Sequence, residues 1–196
     1  MEVPLTPLEF ARRARRLYAE REAVVDGDER FTYGSFFERC DRWSSALQAL
    51  GVKQGDRVVY IAPNTHAQLE SFYAVPQTGA VLVPVNFRLT PDDFAYIINH
   101  SGARVVCAHE DYLEAVDGIR AQLPRAEHFV ALEGARAGWL EYERLVDAAS
   151  PRVTLELVLT AVLVGAVLLF PSLLYLMRVF KGNRALKGRL GDDTRP

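Results

Sequence analysis

One stretch, Gly51–Val106, constrains the fold more than any other, because it alternates short apolar runs with capped helical segments. Arg57–Ile61 is a β-branched run long enough for a buried strand. Ala62-Pro63-Asn64 breaks it, and Asn64 or Thr65 can cap a helix reaching to about Gly79. Gly79 stands where a helix C′ residue belongs, and Val81–Val83 forms a second apolar strand. Strand, helix and strand make a βαβ unit, whose crossover is right-handed in nearly every case. Thr90-Pro91-Asp92-Asp93 then opens another helix, with Pro at N1 and acids in the first turn. It ends near Ser101-Gly102, and Arg104–Cys107 is a third strand. The fold class is α/β: a doubly wound, mainly parallel sheet flanked by helices.

The flanking segments fit that core. Thr6-Pro7-Leu8-Glu9 reads as a capping box with Pro at N1, opening a helix through about Tyr18. Arg12, Arg13, Arg15 and Arg16 ride on it, as a basic patch for phosphate or membrane, or as a solvated face balanced by Glu20 and Glu22, which is the expected reading. Ala23–Val25 and Arg30–Tyr33 flank the hairpin signal Asp26-Gly27-Asp28. Thr32 caps a long helix ending at Leu50-Gly51, with Phe36, Phe37, Cys40, Trp43, Leu47 and Leu50 at core-facing spacing. Beyond the central stretch, Tyr112–Leu123 is amphipathic, His128–Leu132 reads as a strand, Glu133–Gly138 as loop and Trp139–Ala148 as a short helix. Cys40 and Cys107 read as buried thiols in a reducing compartment, and the four histidines show no metal-ligand spacing.

Several ordered segments carry a family likeness. GDRVVYIAPN, QTGAVLVPVN and LTPDDFAYIINHSGARVV, with Phe31-Thr32-Tyr33 before them, resemble the N-terminal subdomain of the adenylate-forming (AMP-binding) acyl-CoA synthetases. The resemblance covers roughly Thr6 to Ser150. It implies an acid–thiol ligase activity that forms an acyl-adenylate and uses ATP, Mg²⁺ and coenzyme A. In the family that chemistry needs a Ser/Thr/Gly-rich phosphate loop closing on Pro-Lys-Gly, a Tyr-Gly-x-Thr-Glu segment, an aspartate on the ribose and a lysine from a small C-terminal domain. Thr78-Gly79, Lys181-Gly182, Lys187-Gly188 and Gly191-Asp192 are the nearest fragments, and none matches. No catalytic, cofactor-binding or metal residue is therefore assigned, and no cofactor is expected on this fragment. Asn86 and Arg88 follow the Val81–Val85 strand at the carboxyl end, where doubly wound sheets bind ligands. In the complete family fold that edge approaches the substrate cleft, so these two are the candidate substrate-binding residues. The competing roles are a turn cap for Asn86 and an acid partner for Arg88; His66 and His100 have surface or capping roles by default.

The character of the chain changes after Ser150-Pro151. Leu157–Met177 is 21 residues without a charge, the length of a transmembrane helix. Pro171 would kink it, and Tyr175 lies at the basic end, where an interfacial aromatic belongs. The expected organisation is thus a subdomain over residues 1–150, a linker over 151–156, a membrane helix over 157–177 and a basic tail over 178–196, with a lipid bilayer as partner. Residues 151–196 carry seven Lys/Arg against three acids, leaving residues 1–150 at −6, a sign that argues against nucleic acid. The positive-inside rule puts the basic tail in the cytoplasm and the globule outside. The thiols, the missing secretion signal and the family's cytoplasmic substrates favour a cytoplasmic globule on a bacterial inner membrane. A join of two unrelated coding sequences near Ser150-Pro151 accounts for the conflict; PSLLYLMRVFKG is similar to the end of a polytopic quinol oxidase subunit.

Overall fold

The computed structural model describes residues 6–149 and, beyond them, 162, 165, 166 and 169, which are helical. The chain divides into two units, Met1–Ser150 and Pro151–Pro196. The run Leu157–Met177 otherwise lies outside the described residues, among which no helix is long and apolar enough to cross a membrane.

The first unit starts with helix α1, Pro7–Tyr18, which has Pro at its first position. Its expected capping box does not form: the Thr6 side chain accepts no cap hydrogen bond, and the Glu9 carboxylate is taken by Arg12 one turn on. Strands β1 (Glu22–Asp26) and β2 (Glu29–Thr32) pair as an antiparallel hairpin around Gly27 and Asp28, with Gly27 at φ +56°. Helix α2, Tyr33–Ala49, does begin in a capping box, between Thr32 and Ser35.

Five parallel strands then form the sheet: β3 (Arg57–Ile61), β4 (Val81–Val85), β5 (Val105–Ala108), β6 (His128–Ala131) and β7 (Leu140–Glu141), in the order β4-β3-β5-β6-β7. The crossovers carry helices α3 (His66–Gln77), α4 (Pro91–Ser101) and α5 (Leu113–Ile119), and α6 (Tyr142–Ala148) follows β7. Thr65, rather than Asn64, caps α3, and Thr90 with Asp93 closes a capping box on α4. Gly102 ends α4 at φ +64°, where a Cβ would stand 2.7 Å from the Arg57 guanidinium that binds its carbonyl.

Two segments differ from the sequence expectation. Tyr112–Leu123 is broken into a 3₁₀ turn, α5 and a second 3₁₀ turn over Arg120–Gln122. Gly118 weakens the helix interior, and Pro124 bars Leu123 from continuing it. Leu140–Glu141 is a strand rather than the start of the last helix, because Leu140 and Glu141 pair with Val130 and Ala131. A two-residue strand has no periodicity to read.

Alternation along the strands sorts the core into two layers. Val58, Tyr60, Val105, Cys107, Val130 and Leu132 face α2, α3 and α6. Val59, Ile61, Val106, Ala108, Phe129 and Ala131 face α4 and α5. Five of the six α2 residues expected in the core are buried; Leu50 is half-buried.

Candidate functional site

The carboxyl ends of the strands are where a doubly wound sheet gathers functional groups. The chain leaves β3 toward β4 on one side, and leaves β5 toward β6 on the other, so the topology reverses between β3 and β5. After β5 comes His109, buried, its N–H donated to the Ile61 carbonyl at 3.0 Å. Its Nδ1 lies 3.3 Å from the Asp111 backbone nitrogen, and its Nε2 3.2 Å from a Glu133 oxygen. Glu110, Asp111 and Glu133 make this part of the edge acidic.

Asn86 and Arg88 lie on the same edge, beyond β4, and both are exposed. The Asn86 Oδ1 accepts the Arg88 backbone N–H at 3.0 Å, and its carbonyl accepts from the Leu89 N–H, so Asn86 organises its own turn. The Arg88 guanidinium stacks over the Phe87 ring, 5.5 Å from its centroid, and is not in an ion pair among the described residues. The side chain that was to have an acid partner thus has an aromatic one.

The charged cluster that the sequence did not signal lies where α2, α3, α6 and β1 meet. Glu70, fully buried on α3, accepts from Arg39 Nε at 2.6 Å and from the Tyr142 hydroxyl. The same guanidinium donates to both Glu143 oxygens, at 2.9 and 2.6 Å. His66, at the start of α3, meets the Asp26 carboxylate through its backbone N–H at 2.7 Å and its Nδ1 at 2.8 Å. Its Nε2 lies 3.5 Å from Glu143. Burial pushes the Glu70 carboxyl above the ordinary range, against the pull of Arg39. Burial also pushes Glu143 up, but hydrogen bonds from His66 and Arg39 outweigh it and bring it to about 2. The Glu143 and Asp26 carboxylates raise the His66 imidazole above its ordinary value. No helical or strand period could have announced this cluster, since its members lie up to 117 residues apart, from Asp26 to Glu143.

Below β3 the sheet's amino edge is clamped. Arg57 donates to the Ser101 and Gly102 carbonyls, and Arg104 joins the Gly51 carbonyl, Asp56 and Glu127. These arginines are spent on the fold.

Comparison with known proteins agrees with this architecture. The 4-hydroxybutyrate–CoA ligase 2 of Metallosphaera sedula is 42% identical over 119 residues, 61% of this chain and 22% of that protein. The long-chain-fatty-acid–CoA ligase of Thermus thermophilus is 38% identical over 157 residues, 77% of this chain and 29% of that protein. The crystal structure of the anthranilate CoA ligase AuaEII in complex with anthranoyl-AMP superposes with a TM-score of 0.70 at 27% identity, over 75% of this chain and 30% of that one. The chain therefore spans less than a third of the length of these relatives. Residues 10–163 match the family model described as AMP-binding enzyme. With that match and this parallel sheet, the chain belongs to the AMP-binding enzyme family.

Proposed function

We propose that this chain is the N-terminal part of an acyl-CoA ligase, and that these 196 residues do not adenylate an acid by themselves. The unequal coverage carries the reading: the Thermus ligase matches 77% of this chain, whereas the chain accounts for 29% of that ligase. Adenylation needs the ATP phosphates and Mg²⁺ held, and positive charge placed where the transition state develops negative charge. The sequence holds no Ser/Thr/Gly-rich loop closing on Pro-Lys-Gly. The strand ends after β5 and β6 present Glu110, Asp111 and Glu133, a donor set unsuited to a triphosphate. Asn86 and Arg88 correspond to one polar corner of the acyl substrate cleft of a complete ligase. Leu157–Met177 anchors the chain in a bilayer as a single span, with the globule on the cytoplasmic side.

ATP–pyrophosphate exchange tests the catalytic part of this reading. The purified full chain, given Mg²⁺, ATP and a panel of short, long and aromatic acids, gives no exchange above a no-protein control. Exchange that depends on the added acid overturns it. For the anchor, an alkaline carbonate wash should leave the full chain in the membrane pellet; release into the supernatant removes that claim.

A second reading, a ligase part completed by another chain, is favoured by one observation. Val25, Leu69 and Phe72 stand exposed around a groove of about 200 Å³ beside the start of α3. Gln68, nearly buried there, has an Oε1 without a partner among the described residues. A chain supplying the phosphate loop should restore exchange on co-expression under this reading, and only under it.

A further inference from the structure

The arginines of α1 are not balanced by Glu20 and Glu22, as the sequence led us to expect. Arg12 pairs with Glu9, and Arg15 Nη1 with Asp41 at 2.8 Å. Asp41 in turn accepts from the Gln77 side chain at 3.2 Å. Glu22 lies 3.8 Å from Arg30 instead. The reason is geometric: Asp41 on α2 lies across from the arginine row, whereas Glu20 and Glu22 lie beyond the end of α1.

This pairing leaves a cleft of about 480 Å³ where α1 meets α2 and α3, within the size range of small-molecule sites. Arg12, Arg15 and Arg16 form one wall, while Leu8, Ala11 and Phe37 supply an apolar one. Asp41 is the single carboxylate of the lining, against three guanidinium groups. Arg16 meets no carboxylate among the described residues. Asp41 engages only one terminal nitrogen of Arg15; the other, Nη2, is shut off from solvent and has no hydrogen-bond partner among the described residues. Nη2 is closed to the cleft, but the Arg15 side chain as a whole is 41% exposed, and a carboxylate or phosphate oxygen is the acceptor that suits a guanidinium best. The Arg15 guanidinium also lies over the Phe37 ring, 5.6 Å from its centroid, which joins the cationic and apolar walls.

We propose that this cleft binds a small organic anion, a phosphate monoester or carboxylate with an aromatic or short alkyl body. The headgroup sits on Arg15 and Arg16, and the body packs against Phe37, Leu8 and Ala11. The site is on the helical layer, away from the strand ends, and does not depend on the ligase reading.

Phenyl phosphate is the probe, because it carries both features and does not form micelles. Isothermal titration of the full chain, held in a neutral detergent, should show one saturable site. Arg15→Gln and Arg16→Gln should each weaken it by about tenfold, the worth of one charge-assisted hydrogen bond. Asp41→Asn should tighten it, by relieving competition for Arg15. Inorganic phosphate and benzyl alcohol, each with half of the ligand's chemistry, should bind far more weakly. Arg16 is exposed, so its replacement should leave the urea unfolding midpoint unchanged and its effect should read binding and not folding. The proposal fails if Arg16→Gln binds phenyl phosphate as tightly as the parent, if no saturable site is found, or if either half-ligand matches it.

Discussion

The two faces of the sheet are held by different physics. Under α2, α3 and α6, the core contains a chain of polar contacts: Arg39, Glu70 and Tyr142, and the Trp43 indole donating to the Tyr60 hydroxyl at 2.6 Å. Under α4 and α5, Phe94, Ile98, Val116, Ile119 and Phe129 pack on Val59, Ile61 and Val106 as an apolar layer. At its edge the Trp139 indole donates to Asp117 at 2.8 Å. An apolar layer tolerates repacking of similar volume, because dispersion and hydrophobic burial are non-directional. A buried polar chain tolerates almost nothing at one member while accepting joint replacement, because each member satisfies another. The chain has two tryptophans, Trp43 in one layer and Trp139 in the other, so single-tryptophan variants report on each face separately.

The sharpest break of this contrast is Arg39→Met, which strands Glu70 as a buried charge. It should cost about 3–5 kcal/mol in urea unfolding followed by tryptophan fluorescence. The double variant Arg39→Met/Glu70→Leu should recover at least half of that loss; if it does not, the network is not the reason for the cost. On the apolar face, Ile98→Ala should cost about 2–5 kcal/mol through the cavity it leaves, with no polar substitution able to rescue it. Tyr60→Phe comes next: it leaves the Trp43 indole N–H buried without its acceptor, at about 1–3 kcal/mol. An equal cost from Tyr60→Phe and from a matched change on the other face would erase the distinction.

The smallest effect sharpens the comparison through pH. The folded His66 imidazole is raised above its ordinary 6.5, so its contribution is fully present below pH 6.5 and is lost as pH rises through the raised value. Glu143 is depressed to about 2 from an ordinary 4.5, so its contribution is present above pH 4.5 and is lost as pH falls toward 2. Glu143 is half exposed, and solvent screens part of its effect. Urea midpoints measured from pH 5 to 9 should show the parent losing its advantage over His66→Gln as the pH climbs past 6.5. A difference that stays flat across that range means that His66 is not charged by its neighbours.

Legibility followed the range of the interaction. Strand Arg57–Ile61, the Thr90 helix start and the Gly102 stop depend on residues within a few positions of one another, and each stands where local patterning placed it. The Thr6 box shows the limit even there: Glu9 had a second partner, Arg12, on the same helix. At the candidate site, the sequence marked Asn86 and Arg88 from their place after a strand, and Asn86 does organise a turn. It could not mark His66, Asp26 and Glu143 as neighbours, because the distance along the chain between them carries no period.

By itself, then, the sequence determined the parallel α/β order and the family likeness, since apolar period, caps and turn residues are properties of short segments. Only the tertiary structure decided which charges are partners: Arg39 with Glu70, Arg15 with Asp41, Arg104 with Glu127. Ion pairs form wherever packing brings a cationic nitrogen and a carboxylate oxygen within about 4 Å, and that proximity is settled by the closing of the whole core.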